Sequence, residues 1–128
     1  MAFRKSTTLK NAQADATGDF YNSGTIQLRT GGQPASANDA ASGTLVATIN
    51  LPVDAFNAAA SGVITKLGTW SAVASGSGNV GWARFINSGA THNFDCTVAE
   101  SGGDLTIDDA DVVSGNVVTV TAFSLTIP

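Results

Sequence analysis

His92 and Cys96 are the one imidazole and the one thiol in the chain, four residues apart. Such a pair makes a nucleophile and base only within hydrogen-bond reach. On a strand both side chains point the same way but stand about 13 Å apart at ~3.3 Å per residue, so no such pair is expected. Cys96 shares its parity with Phe94 and Val98 and reads as a small buried hydrophobe. His92 follows Ser88-Gly89-Ala90-Thr91 and reads as a residue at a hairpin exit. One Cys and one His also make neither a disulfide nor a zinc cluster.

The densest acidic group is Asp104, Asp108, Asp109 and Asp111. Calcium uses such carboxylates, but the D-x-D-x-D-G spacing and its distal Glu are missing. The plainer reading is a strand with Leu105 and Ile107 inward, running into a solvated loop. No second carboxylate cluster with aromatic sugar platforms accompanies it, as glycoside hydrolysis would need. Gly76, Gly78 and Gly81 lack the Lys-Ser/Thr and following helix of a phosphate loop and read as turn residues. The expectation is no enzyme, no metal and no cofactor.

Binding residues stand out more than catalytic ones. In Trp82-Ala83-Arg84-Phe85-Ile86, period two puts Trp82 and Arg84 on one face and Ala83 and Phe85 on the other. Burial of Phe85 leaves Trp82 and Arg84 stacked outside, where they could anchor an interface. Arg4, Lys5 and Lys10 place three of the six basic residues in the first ten positions of a chain with net charge −4. That basic end could recognise an acidic partner surface. Leu9, Ala12, Ala16 and Phe20 recur at helical spacing beside it, with Phe3 and Tyr21 adding aromatic area at either end. Candidate partner contacts are therefore Phe3, Arg4, Lys5, Leu9, Lys10, Tyr21, Trp82 and Arg84.

The elements that must position these residues follow from pattern and composition. With 128 residues, one domain is expected. Charged residues make up only 12%, and the 20 Ala, 14 Gly, 15 Thr and 12 Ser stand against a single Glu, which favours strands and turns over long helices. The negative charge disfavours nucleic acid and anionic membranes as main partners. Neither a secretion signal nor a membrane span is expected.

An amphipathic helix is predicted over residues 7–21, capped by Ser6 or Thr7, weakened in its last turn by Gly18 and ended by Asn22-Ser23-Gly24. Strands are predicted at 25–29, 45–51, 62–67, 69–74, 80–87, 92–99, 104–108 and 116–127, with a surface loop from Gly31 to Gly43. About eight short strands without βα alternation suggest an all-β two-sheet sandwich or jelly roll over residues 25–128, preceded by an N-terminal arm and helix over 1–24. The core is expected at Ile26, Leu28, Leu45, Ala47, Ile49, Leu51, Phe56, Phe85, Phe94, Cys96, Val98, Leu105, Ile107, Phe123 and Leu125. In the last strand Val118 and Val120 have one parity and Phe123, Leu125 and Ile127 the other, which predicts a bulge or bend near Thr121-Ala122.

Several segments carry a family resemblance: Ser6 through Ala16, Gly24-Thr25-Ile26, Gly32 through Ala37, Gly43 through Ile49, Gly81 through Phe85, Phe94-Asp95, Val98 through Leu105, and Val120 through Thr126. Over nearly its whole length the chain resembles a group of small tailed-bacteriophage and prophage virion proteins. Small β-sandwich proteins of tailed phages often serve as capsid cement or decoration proteins. The resemblance thus implies a structural protein on the capsid exterior, made in the host bacterial cytoplasm, bound to the major capsid protein and to itself as a homo-dimer or homo-trimer. A tail or fibre component is the alternative, and a carbohydrate-binding module a further one.

Overall fold

The computed structural model describes residues 3–128. Helix α1 spans Thr7–Tyr21; the Ser6 side chain accepts the Leu9 N–H at 3.1 Å as N-cap, and the Asn22 N–H closes the other end on the Gly18 carbonyl. The helix runs intact through Gly18, which sits against the body of the protein. A Cβ there would meet Ile64 and Phe56 at 3.3 Å, so glycine allows a close approach.

The face that α1 turns inward is not its most apolar one. Ala14, Gly18 and Tyr21 are buried, whereas Leu9, Ala12, Ala16 and Phe20 face outward. Polar side chains hold the helix down: Asn11 accepts the Gly62 N–H at 2.7 Å, Asp15 the Ala59 N–H at 2.7 Å, and Asn22 the Ala55 N–H at 2.9 Å. These anchors grip the backbone of the segment between the second and third strands. The Asn and Asp residues of an apparently solvated face are therefore structural.

Nine strands follow: β1 Thr25–Thr30, β2 Leu45–Asn50, β3 Val63–Thr65, β4 Ser71–Val73, β5 Gly78–Ile86, β6 Asn93–Ala99, β7 Leu105–Ile107, β8 Asp111–Val112 and β9 Val117–Thr126. They form one strongly curled mixed sheet, a half-barrel in the order β2-β1-β5-β6-β7-β9-β3, with β4 added to β9 and β8 to β5. Among the described strands, only β6 and β7 run parallel. The protein is mostly β with one N-terminal helix, as expected, but its strands do not separate into the two sheets of the expected sandwich. Curling arises where residues are inserted, at the register shifts beside Arg29 and beside Thr106. Beyond β4, the N–H groups of Ser75 and Gly76 both donate to the Val46 carbonyl, so the β2 edge is partly covered.

The bulge expected in the last strand is present. Thr106 faces Ala122 while Ile107 faces Val120, leaving Thr121 as the extra residue where the inward parity changes. The expected core residues are buried except Leu45, Phe56, Phe94 and Leu125, which are half-buried. Gly78 and Gly81 belong to a strand, not a turn. Gly81 is the inserted residue of β5 opposite Arg29 and Thr30, and a Cβ there would strike the Gly31 carbonyl. The two-residue strand β8 has no periodicity to read. No helix among the described residues is long and apolar enough to cross a membrane.

Candidate interaction surface

Strand β5 is buried on both faces. Phe85 and Ala83 point into the core, and Arg84 lies beneath the 31–43 loop, which works as a strap across the outside of the sheet; Trp82, fully buried, shares that outer face. Arg84 Nε donates to Asp95 Oδ1 at 2.7 Å, and its Nη2 donates to Asp95 Oδ2 at 3.0 Å and to the Asp39 carbonyl at 2.9 Å. The two charged side chains are 10% and 3% exposed. The Asp95 hydrogen bond raises the guanidinium pKa against the opposing effect of burial. Trp82 lies under the guanidinium, with the Arg84 carbon 5.4 Å from the ring centre. Asn93 ties the strap down a second time by donating to the Ala37 carbonyl at 2.8 Å.

Trp82, Arg84 and Tyr21 are thus packed inside the protein. Trp82 and Arg84 do share the outer face that period two assigns them; Arg84 is covered by a segment more than forty residues away in sequence. The strap is entered at Gly31 and left at Gly43, with φ of 81° and 72°, the left-handed region that glycine adopts without strain. This composition reads as an ordinary loop, so no local signal revealed the strap.

The N-terminal region is displayed instead. Phe3 is 80% exposed, Leu9 41% and Phe20 51%. Arg4 is exposed, and the half-buried Lys5 donates to the Pro128 carbonyl at 2.9 Å. Lys10 is half-buried, its side chain lying against Gly62. The Phe20 ring lies 4.7 Å from that of His92, whose Nδ1 pairs with the Thr91 hydroxyl at 2.9 Å. Beside the helix is a cleft of about 490 Å³ with Asp15, Asp19 and Asp54 around a floor of Phe56 and Ile64. Asp54 reaches it from the loop after β2, a juxtaposition that spacing along the chain does not show.

The acidic group at 104–111 has local roles. Asp104 accepts from the Thr97 N–H and hydroxyl, Asp108 from the Thr119 N–H, Asp109 from the Asp111 N–H, and Asp111 from the Asn79 amide. Among the described residues, no group of three or more His, Cys, Asp or Glu side chains could hold a metal ion.

Cys96 is buried, and burial pushes its thiol pKa up to about 12 from 9.0, with Asp104 and Asp95 adding to the shift. Its thiol should resist iodoacetamide in the native protein at pH 8 and react once the chain is unfolded; rapid native labelling would contradict this burial. Because the fold favours the protonated thiol, its contribution to stability is complete below pH 9.0 and is lost as pH rises toward about 12. Replacement by alanine should flatten that alkaline loss, measured by denaturation at several pH values.

No protein-family model, curated protein or solved structure matches the chain.

Proposed function

We propose that the protein is a structural component of a bacteriophage virion, a cement or decoration protein that binds the outside of the major capsid protein shell and stabilises it. The observation that carries this reading is the outward-facing N-terminal surface, where Phe3, Arg4, Leu9 and Phe20 present apolar and basic groups on an otherwise acidic protein. Apolar area rimmed by charge suits a protein partner, and a basic end suits an acidic one. Several weak contacts to neighbouring shell subunits would add up through multivalency.

Deletion of residues 1–5 leaves the Ser6 cap in place, so folding should change by less than about 0.5 kcal/mol, as for most surface changes. Incorporation into virions should fall at least about tenfold, equivalent to about 1.4 kcal/mol. Normal incorporation of the folded truncation would overturn the role of the N-terminal end. Cryo-EM density on the tail instead of the shell would overturn the capsid assignment.

A further inference from the structure

We infer that a gap in the sheet between β6 and β9 takes an extended segment of another protein as an added strand, with a small apolar side chain turned inward and a basic one outward beside Asp104. This interface lies outside the capsid role and uses none of the N-terminal residues assigned to it. Strand β7 separates β6 from β9, but only over Leu105–Ile107, which pairs with Val98 and Ala99 on one side and with residues from Val120 to Phe123 on the other. Where β7 intervenes, β6 and β9 stand two strand spacings apart, about 9.6 Å. Beyond Leu105, toward the start of β6, no strand among the described residues takes the middle place. Asp104 ends β7 by accepting the Thr97 N–H at 3.3 Å and the Thr97 hydroxyl at 3.1 Å. Gly103 turns the chain tightly against Ala99, since a Cβ there would stand 2.9 Å from the Ala99 nitrogen, so the chain's own residues before β7 lead away from the gap. A cavity of about 270 Å³ lies in it, lined by the inward-facing Phe94, Cys96 and Leu125 and by the exposed Asp104, Ser124 and Thr126.

Both walls of the gap present main-chain groups to it. Thr97 turns its N–H away from β5 toward Asp104, and antiparallel pairing alternates, so Asp95 and Asn93 also face the gap with their N–H and C=O groups. On β9 the Lys66 N–H donates to the Phe123 carbonyl and the Ile127 N–H to the Gly62 carbonyl, so the same alternation turns Ser124 and Thr126 toward the gap. None of these four residues has a main-chain partner on that side among the described residues. Two facing rows of this kind are what an added strand satisfies at once. Period two then assigns its side chains. A residue level with Cys96 and Leu125 faces inward, as Leu105 does two residues further on, and the small cavity admits only a small apolar side chain there. The residues on either side of it face outward, one of them beside Asp104. Charge selects that residue. Asp104 is exposed and makes no ion pair among the described residues, and Lys66, beyond β9, turns its ammonium to the Gly68 carbonyl. Asp95, by contrast, is already held by Arg84. Besides burial, the Asp104 charge raises the Cys96 thiol pKa, so its field reaches into the gap. A lysine or arginine of the added strand therefore complements Asp104.

The test titrates the full chain with the blocked peptide acetyl-Thr-Lys-Val-Lys-Thr-amide and follows the backbone amides by NMR. So short a segment makes few main-chain bonds, and a Kd of about 1 mM is expected. The Asp95, Ser124 and Thr126 amides should exchange readily in the free protein and slow about sixfold at about 5 mM peptide, as mass action gives at that Kd. The same peptide N-methylated at its valine and both lysines keeps its charges and side chains but loses its donors, and should bind at least about tenfold more weakly. Asp104→Asn should weaken binding about threefold at low salt, the scale of an exposed ion pair. Ser124→Pro removes an N–H that faces the gap and not β3, so it should abolish binding with the β3 ladder retained. Unchanged circular dichroism and Tm confirm that both variants fold, and the N-methylated peptide tests the same bonds on the unaltered protein. Slow exchange of these amides in the free protein, no shift up to about 5 mM peptide, equal binding of the N-methylated peptide, or shifts centred on β2 would each overturn the inference. Protection that grows with protein concentration in the absence of peptide would make a second copy the occupant and overturn it likewise. No arm of the test involves the shell or alters residues 1–5, so failure here leaves the capsid reading standing, and failure of that reading leaves the gap to be judged on the peptide alone.

Discussion

Arg84→Ala should destabilise the protein by about 3–5 kcal/mol, because it leaves a buried carboxylate without its partner. Asp95 is only 3% exposed, and the guanidinium satisfies both of its oxygens. The same side chain donates to the Asp39 carbonyl, so the substitution also frees the middle of the strap. Two readouts are expected together: a lower denaturation midpoint and faster proteolysis between Gly31 and Gly43. Arg84→Lys should recover only part of the loss, since an ammonium cannot reproduce the planar two-pronged contact and reach Asp39 as well. Replacing both charges, Arg84→Met with Asp95→Leu, should recover more, because the unpaired charge and not the missing attraction dominates the cost. A loss below about 1 kcal/mol for Arg84→Ala, the range of solvent-screened surface pairs, would show that water reaches the pair.

That ion pair also marks the boundary of what the chain discloses locally. The ends of α1 were legible because capping is local chemistry: Ser6 bonds three residues ahead and Asn22 bonds four residues back. The bulge at Thr121 was legible because two apolar parities cannot share one regular strand. The stripe of Leu9, Ala12, Ala16 and Phe20 is exposed as expected, but what turns it outward was not legible. Hydrophobicity favours turning Leu9 and Phe20 inward, yet close packing over Phe56 and Ile64 needs Gly18, and the hydrogen bonds of the following loop need Asn11 and Asp15. Long-range backbone groups with no sequence signature thus outweighed the apolar stripe. Phe3, Arg4 and Leu9, singled out from the N-terminal sequence, are exposed, whereas the cover over Arg84 depends on the strap crossing the sheet. Single-sheet closure is likewise nonlocal, set by bulges and by the N–H groups that follow β4.

Phe85→Ala should cost about 3–5 kcal/mol, the range for removing a buried aromatic side chain, against a total of about 5–15 kcal/mol for a typical domain. Phe85 occupies the middle of β5, paired with Ile26 on β1 and Phe94 on β6. Its ring stacks on Phe94 at 4.4 Å and packs on Phe123 at 4.9 Å, with the Trp70 ring 6.0 Å away and Tyr21 edge-on at 6.3 Å. Truncation therefore opens a void bordered by rigid rings from β6, β9, α1 and the segment before β4, which collapse poorly into it. Phe85→Leu should cost distinctly less, because most of the volume remains. Phe94→Ala should also cost less, since that ring is half-buried. Chemical denaturation of the three variants gives the ranking, and a smaller loss at Phe85 than at Phe94 would move the centre of the core elsewhere. The consequence extends to the surface, because Tyr21 is the last residue of α1 and packs on both Phe85 and Phe94. Burial raises the Tyr21 phenol pKa, so loosening of this contact should bring its titration back toward 10.0. The helix end that displays Phe20 is thus held by the ring cluster beneath it. Variants that leave the sheet folded but free Tyr21 should therefore fray the last turn of α1, read as lost helical circular dichroism and faster amide exchange there before the protein unfolds.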